Sequence, residues 1–249
     1  MNNQYIDPTI AYDVVELPSM GIYYQNKKKS VKVAYLTASD ENILAAPNLT
    51  QTNQIVTEIL KRKVVDKDID VEELVDEDRQ AILIFLRNTA FGTEYKVTLT
   101  DPKTNQPFDV EVDLSSLSYK KFDLVADVNG EYSYTMTKSG ADVTFVFINQ
   151  KQELELEQIQ TSWNGNGVAP IITKRMEMMI KSAKGNRDPM AIRHFVESLP
   201  IKDSQDFRKF TQEKKPGLDL TKKTTTPSGE EVQFNIGFGV EFFRPFYGL

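Results

Sequence analysis

The sequence predicts an α+β chain: two related units of strands, short helices and a β-hairpin, with a central antiparallel meander. Three observations lead there. A pattern recurs 125 residues apart: Asp78-Arg-Gln80 and Asp203-Ser-Gln205, Phe85 and Phe210, Gly92 and Gly217, Thr100-Asp-Pro102 and Thr225-Thr-Pro227. Identities at caps, glycines and turn prolines fix backbone geometry, so they indicate a repeated structural unit. Asn129-Gly130 lies between alternating segments and is the strongest two-residue hairpin signal. Apolar residues recur at helical spacing over 50–62 and 77–90. The repeat divides the chain into a first strand, helix and hairpin unit at 1–117 and a related unit at 118–249.

Taken in order, residues 12–17 alternate as a strand, and Pro18-Ser-Met-Gly21 turns into Ile22-Tyr-Tyr24. After a second turn at 27–30, residues 31–36 form the clearest early strand. Thr37 and Asp40 have the spacing of a capping box, with Asp in place of Glu, and open a short helix through Leu44. The helix at 50–62 carries Ile55, Val56, Ile59 and Leu60 on one face. The next, 77–90, is expected to bury Ile82, Leu83, Phe85 and Leu86, with Gly92 ending it. A hairpin at 94–114 closes the first unit.

Strands at 122–128, 131–137 and 142–148 are expected to form the meander, turning at Asn129-Gly130 and Ser139-Gly140. An acidic helix follows at 150–160, echoing the strand-then-helix order of 31–44. Trp163-Asn-Gly-Asn-Gly167 reads as a flexible loop and hinge. Helices are expected at 170–184 and at 188–199, the second capped by Asp188 with Pro189 at its first turn. Another begins at an Asp203 cap and stops before Pro216. The second hairpin, with Glu231-Val-Gln-Phe-Asn-Ile236 as a strand, leads into an aromatic tail.

Composition bounds the function. Over 249 residues, 40% hydrophobic and 27% charged content is that of a soluble globular protein with a core. A net charge of −6 argues against nucleic acid as a partner. The short basic runs at 27–29, 214–215 and 222–223 read as solvated turn edges. Without cysteine there are no disulfides, thiolate nucleophiles or cysteine-held metals. The first residues show no basic stretch followed by an apolar core, so no secretory signal is expected, and no apolar run approaches the ~20 residues of a membrane span.

Candidate chemistry is sparse. Residues 66–77 place carboxylates as a calcium loop would, but Val71 stands where the sharp turn needs glycine. Asp70 as a helix cap, with Glu72 and Glu73 in the first turn, explains the same residues. His194 is the only histidine; Ser198 is the nearest hydroxyl and lacks a nucleophile elbow. It reads as a surface or packing residue, and a single histidine cannot build a multi-histidine metal site. Gly165-Asn-Gly167 lacks the lysine and hydroxyl of a phosphate loop. Met176, Met178 and Met179 are expected to fill a core or interface. No catalytic, cofactor-binding or metal-binding residue is expected.

Partner-binding candidates are Phe242, Phe243, Phe246, Tyr247, Arg79 and Arg208. The aromatic tail either folds back onto the body or docks on another chain, since exposed aromatic clusters mark interfaces. Arg79 and Arg208 lie early in the matching helices and either pair with nearby acids or contact a partner.

Several segments together resemble the baseplate hub assembly proteins of T-even-like contractile-tailed bacteriophages. They are Leu17-Pro-Ser-Met-Gly-Ile-Tyr-Tyr24, the run from Val31 to Leu44, Asp78 to Arg87 leading to Phe91-Gly-Thr-Glu-Tyr95, Leu199 to Arg208 leading to Pro216-Gly-Leu-Asp219, and Phe242-Phe-Arg-Pro245. The resemblance implies a non-enzymatic assembly factor, or chaperone, or a structural subunit of the tail tip. Its partners would be hub, spike or tape-measure proteins, with no nucleic acid, membrane or cofactor. It would act in the host cytoplasm during assembly and in the virion tail baseplate. The family also implies paired cysteines in the hairpin turns, in the manner of a zinc knuckle; here those turns read Asp101-Pro-Lys-Thr-Asn105 and Thr226-Pro-Ser-Gly229, so a metal role is rejected and turn chemistry must hold the hairpins. The rival reading is a hydrolase or transferase using one of the many carboxylates on an unidentified substrate. It lacks a visible carboxylate pair with supporting motifs.

Overall fold

The computed structural model of the chain describes residues 11–44, 52–163, 167–238 and 240–243. Among them are seven α-helices and nine strands in small antiparallel sheets, the α+β class that the sequence predicts. By contact the chain separates into two compact units: a split unit, Met1–Lys120 with Gly217–Leu249, and an inserted unit, Lys121–Pro216.

In the split unit, β1 (Tyr12–Glu16) pairs antiparallel with β2 (Ser30–Ala34), from Tyr12 opposite Ala34 to Glu16 opposite Ser30. The turn between them needs glycine at Gly21: its φ is +75°, and a Cβ there would lie 2.6 Å from the Lys27 carbonyl. Helix α1 (Ala38–Leu44) opens as its sequence suggests, with Asp40 accepting from the Thr37 amide and hydroxyl at 2.8 Å. Helix α2 (Thr52–Lys63) buries Ile55, Val56, Ile59 and Leu60, the face read from its periodicity. Lys63 and Arg62 at its end form ion pairs with the buried Asp40.

Asp70 does not cap a helix. Its Oδ1 accepts from the Glu72 amide in a separate turn, and helix α3 (Asp76–Phe91) starts six residues later, after Val75. Three acids, Asp76, Glu77 and Asp78, occupy the first turn of α3, where the helix dipole favours them. Ile82, Leu83 and Leu86 are buried, whereas Phe85 is half-buried and stacks on Tyr35 at 6.0 Å. Gly92, at φ +85°, ends the helix and donates its amide to Asn88. The first hairpin follows as expected: β3 (Glu94–Thr100) with β4 (Pro107–Asp113), Val97 opposite Val110.

The inserted unit departs more from expectation. The Asn129-Gly130 turn forms, with Asp127 accepting from the Asn129 and Glu131 amides, but the strand expected over 122–128 does not. Phe122 instead lays its ring against Tyr132 and Phe147. The three-stranded sheet is β5 (Tyr132–Thr135), β6 (Asp142–Phe145) and, as its third member, β7 (Ile180–Ala183). Between β6 and β7 lie α4 (Gln150–Ser162), with a complete Asn149–Gln152 capping box, and α5 (Ile171–Met179). The helix expected over 170–184 thus stops at Met179, because Ile180 to Ala183 find ladder partners on β6 across a bulge at Thr144 and Phe145. Helix α6 (Pro189–Glu197) has its Asp188 cap accepting from Ala191 at 2.8 Å, and α7 (Ile201–Lys214) follows. Phe145, Phe207, Met136, Met176 and Ile180 form the fully buried centre of this unit.

The chain then re-enters the split unit. Lys120 donates to Gly217, and Asp219 donates to Ser118, both at 2.8 Å. Hairpin β8 (Thr221–Thr225) and β9 (Glu231–Asn235) therefore packs in the unit that the chain left at Lys120. The packing boundaries at 120 and 217 differ from the repeat boundary between 117 and 118. That repeat pairs each helix with the hairpin after it; here α7 belongs to the inserted unit and its following hairpin to the split unit. Ile236, Phe242 and Phe243 then join the core of β1–β4 and α2–α3.

Candidate interaction sites

The third residue of α3 and the third residue of α7 are the repeated aspartates Asp78 and Asp203, and both are fully buried. Neither caps its own helix; each reaches back to grip the turn of an earlier hairpin. Asp78 accepts from the Ser19 amide at 2.9 Å, the Ser19 hydroxyl at 2.6 Å and the Tyr24 hydroxyl at 2.6 Å. Tyr24 in turn accepts from the Val75 amide that precedes α3. Burial, and then the Asp78 charge, push the Tyr24 phenol well above its ordinary value, so it remains a donor. Asp203 accepts from the Lys138 amide at 2.5 Å, the Ser139 amide at 3.0 Å and the Thr137 hydroxyl at 3.2 Å. Burial alone would raise the Asp203 carboxyl, but these donors outweigh it and hold the group below the usual carboxylate range. The repeat therefore records one device used twice: a strand–turn–strand locked by the first turn of a later helix.

Another buried aspartate joins the two hairpin tips. Asp101 accepts from Lys103 and Thr104 in its own turn, and from the Ser228 amide at 3.1 Å and hydroxyl at 2.9 Å in the other. Burial works against this carboxylate, and the amide and hydroxyl donors reverse it. One carboxylate and a few hydroxyls, already committed to each other, do not fit a zinc knuckle. Among the described residues no group of three or more His, Asp or Glu side chains could hold a metal ion.

In the inserted unit a cleft of about 280 Å³ opens among the β6–α4 connection, α4, α5 and α7. Phe147, Ile148 and Met179 give it an apolar lining; Arg175, Arg208, Lys215 and Glu153 supply its charge. Arg175 forms a bidentate pair with Glu153 at 2.5 and 2.7 Å. Of these residues the sequence offers Arg208 as a partner contact and Met179 as a core or interface filler, but nothing in it joins them, since the lining comes from three separate segments and shares no motif.

The expected partner residues are scattered. Phe242 and Phe243 are buried, with Phe242 against Tyr95 at 5.1 Å and Phe238 at 4.9 Å, so these two fold back onto the body. Phe246 and Tyr247 lie outside the described residues. Arg79 is half-buried and donates to Thr57 at 3.0 Å, and burial lowers its guanidinium from the ordinary value. Arg208 donates through Nε to Ser204 and lines the cleft. His194 is exposed, and Ser198 spends its hydroxyl on the Phe195 carbonyl. Met176 and Met179 are core residues, and Gly167 is described while 164–166 are not. No helix among the described residues is long and apolar enough to cross a membrane.

Neither a curated protein nor a solved structure matches this chain. A family model does, described as T4 bacteriophage base plate protein, over residues 19–244. That span takes in both aspartate locks, both hairpins and the cleft. The chain therefore belongs to the T4 bacteriophage base plate protein family, whose place is the virion tail among other phage tail proteins.

Proposed function

We propose that this protein is a baseplate hub protein of a contractile tail that acts by binding other tail proteins, not by catalysis. Its role is that of an assembly factor, or chaperone, active in the host cytoplasm, or of a subunit retained at the tail tip; its partners are hub, spike or tape-measure proteins. The family match over residues 19–244 carries the reading. The distribution of exposed apolar side chains supports it. Of the eleven large ones among the described residues, eight lie in the inserted unit, although it is the shorter: Val125, Val128, Leu154, Trp163, Val168, Ile172, Met190 and Ile201. Such side chains on one unit are what a binding surface supplies.

Mass spectrometry of purified virions and of tail-assembly intermediates tests this. A retained subunit is found in both, and an assembly factor only in the intermediates. Absence from both, together with normal tails after deletion of the gene, overturns the proposal.

A further inference from the structure

Resting on the reading that the chain works by binding proteins, we propose that the cleft of the inserted unit receives an acidic peptide segment of a partner, a carboxylate placed beside an apolar side chain. Its volume of about 280 Å³ is at or below the small end of ligand pockets, room for one or two side chains and not for a large cofactor. The apolar side chain would meet Phe147, Ile148 and Met179, which are 8%, 6% and 5% exposed and already form part of the core. The carboxylate would meet the charged rim.

That rim holds Arg208 beside the Arg175–Glu153 pair, on a chain whose net charge is −6. Glu153 is committed to Arg175 through both oxygens, which fixes the Arg175 guanidinium in place. Arg208 donates only through Nε, to the Ser204 carbonyl at 3.3 Å, among the described residues. Its two Nη groups keep the planar fork that suits a carboxylate. Local positive charge inside an acidic chain gives selectivity: an acidic segment is repelled by the surface at large and favoured at one place. The α7 helix that carries Arg208 is also anchored at its first turn by Asp203, so the guanidinium is presented from a rigid element.

The test uses the full chain and labelled hexapeptides with glutamates flanking Phe, Leu, Ile or Trp, alongside analogues with glutamine for glutamate. Binding is followed by titration calorimetry and by NMR shifts. At least one acidic peptide should shift Met179, Thr211 and Gln212, bind about tenfold more tightly than its glutamine analogue, and weaken as salt rises. Arg208→Glu should lower affinity about tenfold or more, with Arg208→Lys recovering part of it, and the circular dichroism of both variants should match the parent. Failure of every acidic peptide, equal binding of the glutamine analogues, shifts confined to other surfaces, or an unaffected Arg208→Glu would overturn the proposal. So would inorganic phosphate binding as tightly as the best peptide, which would mark a simple anion site. Presence of the protein in tails or intermediates, measured separately, tells failure of this cleft from failure of the baseplate reading.

Discussion

Replacing Asp78 with Ala should be among the most destabilising single changes in the split unit. Among the described residues the carboxylate receives hydrogen bonds of 2.6–2.9 Å from Ser19 twice and from Tyr24. Ser19 is fully buried and Tyr24 is 8% exposed, so water cannot replace the lost acceptor without opening the turn. A buried donor left unsatisfied costs about 1–3 kcal/mol, and Asp78→Ala strands several of them at once in one network. We expect about 3–5 kcal/mol for Asp78→Ala, a large share of the ~5–15 kcal/mol that holds a domain together. Tyr24→Phe keeps the ring but removes a donor to Asp78 and the acceptor of the Val75 amide, and should cost about 1–3 kcal/mol. The double variant should lose less than the sum, since both changes act on one network. The assay is urea unfolding of the full chain by far-ultraviolet circular dichroism. With a slope of about 2 kcal/mol per molar, the midpoint assigned to the split unit should fall by about 2 M. Trp163, the only tryptophan, lies in the inserted unit and reports that unit separately. A loss below about 1 kcal/mol for Asp78→Ala, or strict additivity with Tyr24→Phe, would refute the lock.

Two more predictions concern the inserted unit and the aromatic tail. Because Asp203 sits below its ordinary value when folded, the stability it contributes is present above the usual carboxylate range and fades as pH falls through its folded value. The urea midpoint read from Trp163 should therefore drop between pH 5 and pH 3, as order-of-magnitude bounds, and Asp203→Asn should flatten that drop. A midpoint that rises in acid would contradict the sign. Phe242→Ala, at a position that is fully buried, should cost about 3–5 kcal/mol in the split unit. A role confined to partner binding would leave stability unchanged, so the same urea titration separates the two.

How much was legible in the sequence depended on the range of the forces that decided each element. The α2 face, the first hairpin, the Asp188 cap and the stop at Gly92 are settled by neighbours within a turn or two, and all were readable. The strand at Ile180 was not, because Met-Met-Ile-Lys is good helix sequence and only the distant β6 edge turns it into a ladder. The reverse happened at 122–128: the Asn-Gly turn formed from local chemistry, yet the arm before it, led by Phe122, settled on aromatic contacts. Asp78 and Asp203 show the middle case. The repeat pointed to both, and helix-start rules made them caps, but burial put their oxygens to work on turns 59 and 65 residues away. Of the candidate site, Arg208 was visible and the cleft around it was not, since a cavity has no sequence period.

The split arrangement of the chain also sets an order in time. Leu218, Ile236, Phe242 and Phe243 belong to the core built by residues before Lys120, so that core stays incomplete until the ribosome has added more than a hundred further residues. At about 5–20 residues per second the delay is on the order of ten seconds. Residues 121–216 have all their own contacts in hand well before then. The unit that emerges second is thus the first that can finish folding, and the newborn chain shows an unfinished apolar face while it waits for its last hairpin.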